Sequence, residues 1–460
     1  MPCGSSIRGD SEEQPGELPI SAELVARTRE LMTQPIPAHV GGVARHCLID
    51  WTGVTIAGAG EPVVECLVEE AIDRGGEADC SLIGRPESLS MLDAVTVNGA
   101  ASHVLDFDDS LSAMTGHASV AIIPALFSLC ESRPSQAHRL LPALISGHQM
   151  AGLLGETLGP AAYRRGFHST ATLGAMAAAV ACSHFLGFDE RRMLMALSVA
   201  ASQAAGLKVM FGTMGKAFQV GRAAAAGLLA ARLAAAGFDA PGDPIGHRQG
   251  FAAAHGDGHR IEPSAVRTDH YFIEETLFKY NAACFGVQAP VLATSALVRA
   301  KRIDPRMIES VRVEVAEDLG AVCNIERPAT GLEAKFSIRA TTAMAALGID
   351  LSAPGAFSDA MLRSEDVDAM IERTEVVLDP LRSGARAGVV VRTFEGMTGA
   401  MDWDAAQPNP DLADQDARLE AKFLALTTPK LGRDRANELL DVIRRDDLDI
   451  AAYARLTRSA

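Results

Sequence analysis

The chain has 460 residues, 48% of them hydrophobic, and a formal net charge of −16. That length makes two domains the expectation, and the apolar content excludes a disordered chain. The acidic balance and the lack of a basic tract argue against nucleic acid as a partner.

From Ser21 to about Phe238 the pattern is helical and rich in Ala. Residues 22–32, 37–58, 61–75, 91–107, 119–132, 138–159, 171–187, 190–206 and 221–237 carry apolar residues at helical spacing, and many stop near a glycine. The last three are dense in Ala and Gly. Small faces let helix axes approach closely, so these three belong at the centre of a bundle. After about Pro263 the character changes. Residues 309–317, 374–380 and 387–396 alternate as half-buried strands, with helical pieces at 337–348 and 356–372. Beyond the turn-rich 405–411, residues 419–427 and 434–445 are helical again. The expectation is a mainly α protein. A large helical domain covers 21–265 plus 405–460, a smaller α+β lid covers 266–404, and 1–20 is a loose N-terminal tail. That tail lacks an apolar core of a signal peptide, and the most apolar stretch, 171–183, is too short to span a bilayer. The eight cysteines are scattered, with no C-x-x-C pair and no zinc spacing, as in a reduced cytoplasmic protein.

Lys216, in FGTMGKAFQVGRAA, raises the question of a nucleotide. A phosphate loop needs glycine five residues before the Gly-Lys pair and a hydroxyl after it; Met210 and Ala217 stand there. GAGEPV (58–63) has Val63 where a dinucleotide fingerprint needs its third glycine. Both readings fail, which leaves an acidic metabolite.

Other stretches favour that ligand. LDFDDSLSAMTGHAS (105–119) sets three aspartates and His117 in a turn between helices. RRGFHSTATLGAM (164–176) puts His168 just before a helix start that Ser169 or Thr170 would cap. ETLFKYNAACFG (275–286) places Lys279 and Cys284 among apolar residues. Each also has a plain structural reading. His103, Asp108 and Asp109 read as solvated turn residues, His117 and His168 as structural histidines, Lys279 as a snorkelling lysine, and Cys284 as a core thiol.

Taken together, LDFDD…GHAS, RRGFH, SQAAGLKVMFGTMGKAFQVGRAA, LFKYNAAC and EAKFSIRATTA resemble the MmgE/PrpD family from about residue 20 to 450. That family includes 2-methylcitrate dehydratases, cis-aconitate decarboxylases and iminodisuccinate epimerase. The resemblance implies a helical domain with an α+β lid, a site between them, no metal, no organic cofactor and a homodimer. It places the family's functional positions on Asp106, Ser110, His117, His168, Lys216 and Lys279, with Ala118 where the family has proline. The chain departs from the pattern at Gln219, Asn281 and Gln288, where the family often has histidine, and at Ala340, where many relatives have tyrosine. An amide hydrogen-bonds a carboxylate but carries no proton at neutral pH.

The chemistry implied is proton removal next to a carboxylate of a di- or tricarboxylic acid. His168 would be the main proton carrier and Lys216 the carboxylate clamp or second base. His117 would be the partner acid, oriented by Asp106. Lys279 would bind a remote carboxylate, with Ser110, Gln219, Gln288 and Cys284 as further substrate contacts. Three classes stay open at this point: a cofactor-independent lyase or epimerase on a polycarboxylate, a specialised enzyme acting on an amino or imino acid or a natural-product intermediate, and a non-catalytic anion-binding homologue.

Overall fold

A computed structural model describes residues 19–158, 160–256, 270–382 and 384–459. The chain is mainly α, as expected. The expected tail lies outside the described residues except for Pro19 and Ile20, and so does the expected boundary at 265–266.

The centre of the helical part is Met214–Ala235, packed between Ser169–Phe185 and Met91–His103. Small residues set this arrangement. A Cβ on Gly221 would lie 2.0 Å from the Thr96 carbonyl oxygen, and one on Gly99 would lie 2.7 Å from the Gly221 Cα. Glycine at both positions therefore lets these two helices cross backbone to backbone, which brings Lys216 on one close to the segment that follows the other. Ala38–Gly58 packs against Leu412–Leu431, so the C-terminal helices return to the helical body.

The sheet has four strands in the order Thr374–Asp379, Ile308–Ala316, Arg386–Thr393, Thr398–Asp404. The first pair is parallel and the other two are antiparallel. Val311, Val313 and Val315 alternate inward with Glu309 and Arg312 outward, the period of a half-buried strand. The helices Gln288–Lys301 and Ile338–Ala346 pack together, the former on the strands Arg386–Thr393 and Thr398–Asp404. This sheet's apolar core is continuous with helical residues: Val54, Val64, Val97 and Ala217 share one cluster with Val311, Val389 and Phe336.

Five elements differ from the sequence expectation. The helix at 91–107 stops at His103. The helix at 221–237 starts earlier, at Met214, with the Thr213 side chain accepting from the Gly215 N–H. The helix Gln288–Lys301, the edge strand Thr398–Asp404 and the last helix, Ile450–Thr457, were not read at all. Among the described residues no helix is long and apolar enough to cross a membrane.

Candidate active site

The site is built on residues 104–109, where the chain leaves the helix Met91–His103. Asp106 has φ 52°, in the left-handed region that Asp and Asn tolerate better than most residues. Such a turn exposes backbone carbonyls to the interior, and three of those that accept a side chain here do so from a distant part of the chain. Lys335 Nζ donates to the Leu105 oxygen at 2.7 Å, and Lys279 Nζ to the Asp106 oxygen at 2.6 Å. Lys422 Nζ donates to the Phe107 oxygen at 2.7 Å, and His117 Nδ1 to the Asp109 oxygen at 2.7 Å. Buried carbonyls need partners, so these four donors hold the loop in one shape.

The aspartates of that loop are buried, not solvated. Asp106 pairs with Lys216 through Oδ2 and with Lys279 through Oδ1 at 2.7 Å. Burial alone would raise its carboxyl, but the two ammonium groups outweigh it and hold the group well below the usual carboxylate range. Asp108 Oδ2 accepts from His103 Nδ1 at 3.0 Å and lies 3.0 Å from His117 Nδ1. The carboxylate beside His117 is therefore Asp108, where Asp106 was expected. Asp109 accepts from the Ser119 hydroxyl, and its Oδ1 has no hydrogen-bond partner. Burial and the neighbouring Asp50 push Asp109 up to about 8.

An acid whose folded pKa is raised contributes stability below its unfolded value, near 3.9, and loses it as pH rises through about 8. Asp109→Asn removes that loss. We expect the urea midpoint of Asp109→Asn, relative to the parent protein, to rise steadily between about pH 4 and pH 8. A pH-independent difference would contradict this account of Asp109.

Three imidazoles stand together. His103 is 1% exposed, with its ring centroid 4.8 Å from that of His117 and 6.0 Å from that of His168. Its expected place in a solvated turn is thus corrected. Their partners fix their tautomers. The Asp109 carbonyl only accepts, so His117 Nδ1 carries a hydrogen and the neutral ring has a bare Nε2. Gln219 Nε2 donates to the Leu207 oxygen at 3.2 Å while its Oε1 accepts from the Leu207 N–H at 3.1 Å, which settles the amide's orientation. The same Oε1 lies 3.2 Å from His168 Nδ1, so that nitrogen is also the donor and Nε2 is bare. Burial, followed by the charge fields of His103 and Lys216, holds His168 well below its ordinary value and keeps it neutral near pH 7.

Gln219, expected to touch substrate, instead bonds His168 and the Leu207 backbone and is not among the described residues that line the neighbouring cavity. Replacing it by Glu puts a full negative charge at that acceptor. The acid limb of the kcat/KM profile should move up by about one pH unit or more, while Gln219→Leu lowers activity with no such upward shift. Superimposable profiles for parent and Gln219→Glu would remove Gln219 from this role.

A cavity of about 330 Å³ lies against these groups. Ser110, His117, His168, Thr170 and Lys216 line it, together with Cys284, Phe285, Leu319, Val322 and Phe336. The structure gathers most of the sequence candidates here but not all. Lys279 is 1% exposed, is bonded to Asp106, and lies behind the cavity wall. Its expected carboxylate is therefore a residue of the protein. Gln288 and Asn281 bond each other at 3.1 Å, away from this cavity, and tie the 281–284 loop to the start of the helix Gln288–Lys301. Cys284 does line the cavity; its thiol is lowered chiefly by its hydrogen bond with Cys323. Ser169 and Thr170 do not cap their helix; Thr170 Oγ1 accepts from the His117 N–H at 3.1 Å.

Tyr163, Lys335 and Lys422 were missed by the sequence reading, and His103 was read only as a turn residue. Tyr163 places a phenol on the cavity wall in a chain that has Ala340 at the family's tyrosine position. His103, Asp108 and His117 offer donor atoms within 4.8 Å of one another, a cation-compatible spacing, but His103 Nδ1 already bonds Asp108 and His117 Nδ1 the Asp109 carbonyl.

Residues 22–264 match the model described as the MmgE/PrpD N-terminal domain, and residues 281–448 match the MmgE/PrpD C-terminal domain. The chain is 32% identical over 229 residues to the cis-aconitate decarboxylase-like protein oryM of Aspergillus oryzae, which covers 48% of this chain and 47% of that protein. It is 27% identical over 344 residues to a cis-aconitate decarboxylase of Aspergillus terreus, covering 69% and 70%. It is 29% identical over 216 residues to the cis-aconitate decarboxylase of Mus musculus, covering 46% and 44%. The first of these matches spans about half the relative's length.

Proposed function

The chain belongs to the MmgE/PrpD family, and from that premise we propose that it is a lyase-type enzyme acting at the carbon next to a substrate carboxylate. The observation that carries this reading is the convergence of Lys216 with two imidazoles of fixed tautomer on one cavity. The names of the relatives make a tricarboxylic acid the first class to consider.

In this reading the bare His168 Nε2 takes the α-proton. Negative charge then moves onto the substrate carboxylate, where Lys216 Nζ meets it in a low-dielectric wall; such a placed charge is worth on the order of 3 kcal/mol. His117 supplies the proton for the departing group. The Asp109 carbonyl, which accepts from its Nδ1, holds the ring in place beside the Asp108 carboxylate. A two-base exchange at the same carbon would give epimerisation. The reading needs no organic cofactor.

The test is to incubate the protein with a panel of carboxylic acids in deuterated water and follow the α-proton by NMR. Loss of that signal with a new alkene signal supports a lyase, and loss without net product supports an epimerase. Tight binding with no exchange for any acid would leave the anion-binding homologue as the better reading. The family likeness extends the proposal to a cytoplasmic homodimer. The exposed side chains of Leu207, Val209, Met214 and Phe218 form an apolar surface for such contact, and sedimentation equilibrium checks the stoichiometry.

A further inference from the structure

The cavity is poor in positive charge for a tricarboxylic acid. Among its described lining residues Lys216 is the only lysine or arginine, and Asp106 already pairs with it. Lys208, which is not itself a lining residue, lies 4.0 Å above the ring of the lining residue Tyr163. The exposed lining residue Asp318 opposes it. The two lysines in and beside the cavity are thus set against two aspartates. A carboxylate moved out of water without a cationic partner is strongly disfavoured.

The cations that could have served further carboxylates are engaged elsewhere. Lys279 and Lys335 donate to the 105–106 carbonyls, and Lys422 to Asp50 and the Phe107 carbonyl. The amides at 281 and 288 are bonded to each other. The cavity lining that Lys216 and the imidazoles share is apolar at Leu111, Phe285, Leu319, Val322 and Phe336. The cavity's roughly 330 Å³ equals about eleven water volumes, enough for an eight-carbon acid.

We propose that this site takes an acid with a single carboxylate and an apolar chain, the carboxylate on Lys216 and the chain along the Leu319–Val322–Phe336 wall. This rests on the lyase-type reading above and replaces the tricarboxylic acid considered first there. For a 3-hydroxyalkanoate the step balances without a co-reactant. The C2 proton goes to His168, the C2=C3 bond forms, the C3–O bond breaks, and the oxygen leaves as water with a proton from His117.

Two arms separate this inference from the reading beneath it. Calorimetry compares octanoate with tricarballylate, which are both unreactive. Octanoate should bind at least tenfold tighter in the parent protein. Val322→Arg, which adds a cation to the half-buried wall, should shift that preference at least tenfold towards tricarballylate. Equal or tighter tricarballylate binding in the parent, or a preference that Val322→Arg leaves unchanged, overturns the inference whatever the catalysis. Separately, 3-hydroxyoctanoate and citrate are followed in deuterated water. Faster dehydration of 3-hydroxyoctanoate supports both claims. Faster turnover of citrate overturns the substrate inference and keeps the lyase reading. No exchange with either removes the lyase reading on which the inference stands.

Discussion

Lys216→Met is expected to lower kcat/KM by roughly 10² to 10³ while the protein stays folded. Methionine keeps the length and apolar stem of lysine and removes only the charge. That charge sits at the cavity wall, 4.9 Å from the Phe336 ring centroid and 5.5 Å from that of Phe211, where water screening is weak. Stability should change little, because Asp106 keeps its second partner, Lys279, at 2.7 Å, so the buried carboxylate remains paired. The split is what matters: a large kinetic loss beside a near-parental melting temperature. If kcat/KM stays within twofold, Lys216 is not the group that meets developing charge.

Asp106→Asn gives the reverse emphasis. Asparagine suits φ 52° as well as aspartate does, so backbone strain is not added. What is lost is the one carboxylate that Lys216 and Lys279 share. The nearest carboxylate left to Lys279 is Asp108, 4.0 Å away, which already accepts from His103; its bond to the 106 carbonyl brings no compensating charge. Removing one side of a buried ion pair costs about 3 to 5 kcal/mol, so a marked fall in the denaturant midpoint is expected, together with loss of activity. The sign with pH follows from the depressed carboxyl. Its contribution is present above the unfolded value, near pH 3.9, and is lost as pH falls through the lower folded value. The gap between parent and variant should therefore be widest near neutral pH and close only in strong acid. An unchanged midpoint at pH 7 would mean that the two lysines find other partners.

The contrast between these two variants shows what the sequence could reveal. The Ala-rich helices were legible because apolar residues recur at 3.6-residue spacing, and Val311, Val313 and Val315 because they alternate. The bend at Asp106 was not legible. HVLDF continues a helical apolar pattern, and what breaks it is tertiary: carbonyls drawn to Lys335, Lys279 and Lys422 from segments far along the chain. For the same reason Asp108 and Asp109 read as surface residues when they are buried. Lys335 stands inside the quoted EAKFS stretch but nothing local shows where its ammonium goes. The edge strand Thr398–Asp404 was hidden because its exposed face and Trp403 blur the alternation. Of the candidate site, His117, His168 and Lys216 were reached through the family likeness. Gln219 was named with the wrong partner, since an amide's role depends on which backbone group turns it, here Leu207.

The most direct test is a crystal structure of the protein with an unreactive carboxylic acid bound, octanoate first and tricarballylate second. The account predicts a carboxylate within hydrogen-bonding reach of Lys216 Nζ, and the adjacent carbon turned towards the Nε2 atoms of His168 and His117. An acid seated elsewhere, or a cavity in which Lys216 and the two rings turn to separate partners on binding, would contradict it.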